Sequence, residues 1–282
     1  MPSAYYMPSE KLRKYVAAYF LMEGKILPEF GYELTIYPNG HIIMGIAYGK
    51  TLPVITDKGQ TFTVPNPGVS GRYMHPVSIR FFDVQVLITI LKPFGFYYIF
   101  GIPQGILLDQ TISLKSLGIS GDEMIVHQIS KSKSFSAKID CVENWLLQNL
   151  NKNKIDSAGL TEYLVDKIIQ SQGIIPLKNI LSDLRLNPRY IERHFNEYVG
   201  TGAKELSKII RFNFTVNYLI KHPTASAVEL CEIGNFYDTS HLIREFNKYT
   251  GFSPLRFINK INKDGADQIE TLKRLNLARN II

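Results

Sequence analysis

The chain has little cysteine: Cys141 and Cys231 are the only two in 282 residues. Two thiols so far apart make neither a disulfide framework nor a metal-binding spacing, and they read as reduced structural residues. Apolar runs are short as well. None approaches the ~18 residues needed to span a bilayer, and the longest apolar neighbourhood, Val84 to Phe100, is broken by Lys92, Pro93 and Gly95. The first twenty residues carry Glu10, Lys11, Arg13 and Lys14 where a secretion signal needs an apolar centre, so a cytoplasmic location without a membrane partner is expected. His41, His75 and His127 are isolated and lack the clustered carboxylates of a metal centre. The glycine-bearing stretch Gly101-Ile102-Pro103-Gln104-Gly105 lacks the Lys-Ser/Thr ending of a phosphate loop. No serine or cysteine nucleophile elbow is present. The expectation is therefore no catalytic residue, no metal and no cofactor.

What the sequence does hold is ample core material, 45% hydrophobic with 12% aromatic, and a net charge of +7. That hydrophobic share excludes wholesale disorder. A length near 280 suggests two domains. The positive balance favours nucleic acid or an anionic surface, although many ordinary proteins are mildly basic.

The first hundred residues are rich in turns and β-formers. Tyr32 to Tyr37 reads as a strand ending in the turn Pro38-Asn39-Gly40, and His41 to Tyr48 as its hairpin partner. Thr61 to Val64, Ser78 to Phe82 and Val84 to Leu91 read as further strands, and Ser9 to Phe20 as an opening helix capped by Ser9. After Pro103 the pattern turns helical, with segments expected over Leu114 to Ile129 and Ser136 to Leu150. Strands first and helices later give an α+β multidomain class: an N-terminal β-barrel or sandwich-like domain with flanking helices, then an all-α domain. The boundaries fall at 1–150 for the β-rich domain, 151–170 for a linker and first helix, 171–262 for the helical domain and 263–282 for a tail helix. The dense N-terminal aromatics, Tyr5, Tyr32, Tyr73, Phe81 and Phe96 among them, either line an effector pocket or fill a core and a dimer surface.

The strongest signal is an internal near-repeat. Asn187-Pro188-Arg189-Tyr190-Ile191-Glu192-Arg193-His194-Phe195-Asn196-Glu197-Tyr198-Val199-Gly200 aligns with the segment from Asp238 to Gly251 at one constant offset. Ile191 then pairs with Leu242, Arg193 with Arg244, Phe195 with Phe246, Asn196 with Asn247 and Tyr198 with Tyr249. Each segment opens on a capping residue and ends on a glycine suited to a left-handed stop. The apolar residue and phenylalanine four apart face inward, and the arginine between them faces out. A shorter helix precedes each, Leu177 to Leu184 and Ala227 to Ile233, which is helix-turn-helix organisation. Ala203 to Lys221 reads as one long helix between the copies, roughly 27 Å at ~1.5 Å per residue. A rod of that length sets two reading helices near one duplex turn apart, ~34 Å.

On these residues the region from Leu177 to Phe257 resembles the DNA-binding domain of AraC/XylS-type transcription regulators. The resemblance rests on Arg193-x-Phe195, Gly200, Ile209-Ile210-Arg211-Phe212, Phe236, Asp238, Leu242-x-Arg244-x-Phe246 and Gly251-Phe252-Ser253-Pro254. It implies two helix-turn-helix subdomains joined by a long helix. The N-terminal part looks like the β-rich sensor domain, of unknown function, attached to one branch of that family. The cues are Ser78-Ile79-Arg80-Phe81, Leu91-Lys92-Pro93-Phe94-Gly95, Gly101-Ile102-Pro103 and Asp109 to Leu117. Three positions depart from the pattern. Arg185 and Asn235 stand where the turn residue is usually glycine, and Gly234 stands where a larger apolar residue is usual, which suggests a looser second unit.

The resemblance points Arg189, Glu192, Arg193 and Asn196 of the first reading helix, and Thr239, Ser240, His241 and Arg244 of the second, at base edges. Arginine bonds two acceptors on guanine, glutamate accepts from cytosine, and serine or threonine suits several edges. Lys204, Lys208, Arg211, Lys248 and Arg256 are candidates for phosphate. The expected function is a bacterial, sequence-specific transcription regulator acting on promoter DNA. Its N-terminal domain answers to a small-molecule effector or a second copy of the chain, and RNA polymerase is a partner if it activates. The alternatives are an adaptor that uses the helical domain for protein contacts, and a ligand-binding or enzymatic N-terminal barrel.

Overall fold

The computed structural model describes residues 3–25, 32–49, 53–55, 61–81, 83–150, 159–176 and 187–264. The expected helix Leu177 to Leu184, its following turn at Arg185, the polar break at 151–154 and nearly all of the tail helix lie outside them.

The N-terminal domain is built on a six-stranded antiparallel sheet. Its strands are β1 (Ser3–Tyr6), β2 (Val16–Lys25), β4 (Ile42–Ala47), β7 (Gly68–Ser70), β9 (Asp83–Leu91) and β10 (Thr111–Ser113), in the order β1-β2-β9-β4-β7-β10. Two smaller antiparallel pairs flank it, β3 (Tyr32–Ile36) with β8 (Val77–Phe81) and β5 (Pro53–Ile55) with β6 (Thr61–Thr63). Helices α1 (Gly95–Phe100), α2 (Asp122–Lys131), α3 (Phe135–Asn149) and α4 (Gly159–Gln170) follow. Ser134 caps α3 by accepting from the Ala137 amide. Among the described residues no helix is long and apolar enough to cross a membrane.

Three expectations in this half need correction. The opening helix is absent: residues 10–15 form turns on the Ser9 and Leu12 carbonyls, and β2 begins at Val16. The run from Val16 to Met22 is apolar throughout because β2 lies between β1 and β9 and buries both faces. Val16, Tyr19 and Leu21 enter the large core, whereas Ala17 and Ala18 pack with Ile90 on the other side. A strand covered on two faces loses its alternation and mimics a buried helix. The expected hairpin is also absent. Both strands form, but β3 pairs with β8 while β4 pairs with β9 and β7. Pro38-Asn39-Gly40 is therefore a crossover between sheets. The helix expected from Leu114 is confined to α2, with a single 3-10 turn at Lys115–Leu117 before it.

The helical half follows the sequence reading closely. It comprises α5 (Pro188–Tyr198), α6 (Ala203–Lys221), α7 (Ala227–Ile233), α8 (Thr239–Thr250) and α9 (Pro254–Asp264). The 19-residue α6 carries a long buried face that includes Leu206, Ile210, Val216 and Leu219.

The cores do not respect the domain boundary. One continuous cluster joins sheet residues such as Met44 and Leu87 and Phe96 of α1 to Leu164 of α4, Ile191 and Phe195 of α5, and Leu206 and Ile210 of α6. A second cluster holds the rest of α6 with Leu230, Leu242, Phe246 and Phe257, and it takes in Tyr37 from the crossover turn.

Candidate nucleic-acid interface

Each reading helix is fixed at both ends by its own sequence. Asn187 accepts from the Arg189 amide at 2.9 Å, and Pro188 occupies the first turn of α5, where an amide hydrogen has no intrahelical partner. Asp238 does the same for α8, accepting from the His241 amide at 2.6 Å. The C-terminal stops are Gly200 and Gly251, both at φ +79°, a conformation that a side chain resists. Ile191, Phe195 and Tyr198 bury one stripe of α5, and Leu242, Phe246 and Tyr249 bury the matching stripe of α8. The opposite stripe of each helix faces solvent.

The structure exposes Arg189, Glu192, Arg193 and Asn196 on α5, and Ser240 and Arg244 on α8, with Thr239 half-buried. Arg193 lies 5.8 Å from the centre of the Tyr190 ring, and Tyr190 in turn packs on His194 at 4.1 Å. Of the expected residues, Glu192 has a close neighbour and His241 has bonding partners. Glu192 folds toward the start of α6: a Cβ built at Gly202 would come within 2.4 Å of Glu192 Oε1, so Gly202 makes room for that carboxylate. A negative group there also complements the positive end of α6. His241 is half-buried. Its Nδ1 accepts from the Tyr237 amide at 3.4 Å, and Nε2 lies 3.1 Å from Glu245 Oε1. The same Glu245 oxygen accepts from Arg211 at 2.7 Å, and Arg211 stacks on Phe236 at 4.5 Å. Arg211 is thus turned inward between α6 and α8 and does not present itself to phosphate. Lys204 and Arg256 are exposed, whereas Lys248 and Lys208 both lie against Glu205.

The turn of the second unit is tight. Asn235 adopts φ +48°, as its short polar side chain allows. A Cβ at Gly234 would meet Phe236 Cε2 at 2.2 Å and Thr215 Oγ1 at 2.7 Å. The space a larger residue would take is filled by Phe236, which corrects the expectation of a loosened unit.

Two residues on this face escaped the sequence reading. Ile243 is 37% exposed on the solvent side of α8, next to Arg244. The repeat itself held the signal, because its offset pairs Ile243 with Glu192, an outward position. Tyr237 is 93% exposed at the entry to α8, and nothing in its neighbourhood of sequence marks it.

Comparison with known proteins assigns both halves. Residues 180–260 match a family described as a helix-turn-helix domain, and residues 4–113 match a domain of unknown function, DUF6597. No curated protein matches the chain. Similar solved structures include ToxT from Vibrio cholerae strain SCE256 with an unsaturated fatty acid bound. It has 12% identity over 81% of this chain and 93% of that one, at a TM-score of 0.42. ToxT from Vibrio cholerae O395 has 11% identity over 82% of this chain and 96% of that one, also at 0.42. The same O395 protein bound to (E)-4-(8-methylnaphthalen-1-yl)but-3-enoic acid has 11% identity over 92% and 99%, at 0.41. The chain thus carries a C-terminal helix-turn-helix domain of the AraC type and an N-terminal domain of the DUF6597 family.

Proposed function

We propose that the protein is a transcription regulator that reads promoter DNA with α5 and α8, one helix per major groove, under the control of its N-terminal domain. The observation that carries this reading is the paired arrangement itself. Two capped helices, one before and one after a 19-residue linking helix in the chain, each bury an apolar stripe and expose an arginine at the matching position.

The groups best placed to read bases are Arg189, Arg193 and Asn196 on the first helix, and Thr239, Ser240 and Arg244 on the second. Ile243 joins them as an apolar group for a thymine methyl. His241 has internal partners, so base contact by it requires the side chain to leave them, whereas Glu192 is exposed beside Gly202. Lys204, Arg256 and the amides at the starts of α5 and α8 supply phosphate contacts. A small-molecule effector, self-association through the N-terminal domain and contact with RNA polymerase complete the scheme. What supports N-terminal control is the core shared between the sheet and the first reading unit.

The test is binding to a randomised duplex pool followed by salt titration on the selected sequence. A regulator selects a defined sequence and loses affinity with a log–log slope near ~0.9 per phosphate contacted. An adaptor that uses the helical domain for protein contacts selects nothing and shows no such slope.

A further inference from the structure

Arg72 lies in the loop after β7 and is almost completely buried, at 3% exposure. Buried cations are ordinarily matched by a carboxylate. The guanidinium of Arg72 bonds instead to uncharged oxygens from four separate segments. Nε donates to the Gly40 carbonyl at 2.9 Å, and Nη2 donates to the Pro93 carbonyl at 2.6 Å. Nη1 donates to Gln104 Oε1 at 3.3 Å and to the carbonyl of Val199, the residue that ends α5. Gln104, itself buried, donates to the adjacent Tyr198 carbonyl. The last carbonyls of a helix have no intrahelical partners, and they form the negative end of its dipole. Two N-terminal-domain side chains thus cap the first reading helix from outside its own domain. Burial draws the guanidinium down to about 9, still cationic at neutral pH, so the charge remains to meet that dipole.

The same residue reaches toward the second unit through Gly40. A Cβ there would touch Leu206, Ile209 and Ile210 of α6 at 3.5–3.6 Å. Beside it the Pro38 carbonyl accepts from Asn213 of α6 at 2.8 Å. Tyr37 packs edge-on to Phe257 of α9, with ring centres 5.0 Å apart. The crossover turn that sequence reading takes for a hairpin is a wedge seated on the linker helix and on the second unit's last helix. Arg72 bonds both to this wedge and to the end of α5.

We propose that Arg72 is a positioning residue for DNA recognition: it clamps the first reading helix to the N-terminal domain and fixes its pose relative to the second. The inference rests on the DNA-reading function proposed above. Arg72 makes no DNA contact in this scheme, and it acts only through α5 and the 37–40 turn. Any ligand or partner that shifts the Gly40, Pro93 or Gln104 segments would move the first reading helix while leaving α8 on its own core.

Parallel selections from a randomised duplex pool, with the full-length native chain and with Arg72→Met, test it. The native chain should select two conserved blocks about one helical turn, ~10 base pairs, apart. Arg72→Met keeps an apolar stem and loses the clamp. It should retain the α8 block, while the α5 block loses most of the roughly tenfold or greater penalty a wrong base pair carries, or changes its spacing. Arg72→Lys, which offers one cation but no fork, should fall between. Two intact blocks at native spacing in Arg72→Met would overturn the clamp, and so would an equal weakening of both blocks in a folded variant. If Arg72→Met does not fold, Gln104→Ala decides by the same criterion, since it removes the bond to the Tyr198 carbonyl and one acceptor of Arg72 while the Arg72 bonds to Gly40, Pro93 and Val199 stay. Absence of any selected block with the native chain would refute the DNA-reading function and not the clamp.

Discussion

At the scale of single residues, environment separates readers from supports. Arg244 is exposed on α8, with no ion pair holding it among the described residues. Arg244→Ala should weaken specific binding by ~1–3 kcal/mol, relax preference at its base pair and leave the melting temperature unchanged. Unaltered preference in a selection experiment would remove it from the reading set. Glu205 is a support. It accepts from Tyr249 at 2.9 Å and from Lys248, tying α6 to α8. Burial pushes its carboxyl up, but the bonds from Lys248 and Tyr249 and the charges of Lys248 and Lys208 outweigh that and hold it below the usual range. A lowered folded value means that the carboxylate's contribution is complete above the unfolded value of about 4.3 and fades as pH falls through the folded one. Glu205→Gln should therefore cost on the order of 1 kcal/mol at pH 7, and the difference from the native chain should shrink in denaturant titrations below about pH 4. A deficit that is constant with pH would show that the charge is not what matters. What sequence could not supply at this scale was side-chain direction. His241 is expected to point at the groove, yet it turns to Glu245 one helical turn on, because Glu245 is itself held by Arg211, a residue remote in sequence.

At the scale of elements, capping chemistry was the most legible signal. Asn187, Asp238 and the stops Gly200 and Gly251 mark helix ends through bonds that are local in sequence, so the boundaries of α5 and α8 follow from residues within one turn, whereas the Ser134 cap starts α3 at Phe135 rather than at the expected Ser136. Strand pairing is non-local, and there the reading failed. Pro38-Asn39-Gly40 says that the chain turns and says nothing about which strand it meets. The alternation in β4, where Ile42, Met44 and Ile46 are buried, marks a strand with one covered face but not its neighbours β9 and β7. The cap argument is directly measurable. Asp238→Ala should cost about 1 kcal/mol, within a range of ~0.5–2 kcal/mol. Asp238→Asn keeps an oxygen that accepts from the His241 amide and loses only the charge at the positive end of α8, so it should retain much of the stability. Equal loss in both variants, read from urea midpoints, would assign the effect to charge rather than to the hydrogen bond.

At the scale of the whole molecule, the boundary read near residue 150 does not divide the packing. The large core runs from the sheet through α1 and α4 into α5 and the first half of α6, while the second core holds α7, α8 and α9. Sequence marks a domain by change of composition, whereas a core is defined by which faces meet, and the apolar stripe of α5 carries no label of its partner. Tyr97 of α1 illustrates the joint: its ring packs 4.3 Å from Tyr198, and its hydroxyl donates to Glu197 Oε1 at 3.0 Å. Truncating a large buried ring costs ~3–5 kcal/mol. Tyr97→Ala should thus lower amide protection in α5 as strongly as in α1, although the two belong to different sequence domains. Phe246→Ala, at similar cost, should lower protection across α7, α8 and α9 and leave the six-stranded sheet nearly untouched, because Phe246 lies wholly in the second core. If Tyr97→Ala loosens α1 while α5 keeps its protection, the first unit is held by the helical domain alone. Control by the N-terminal domain would then have to reach α5 by a route other than the shared core.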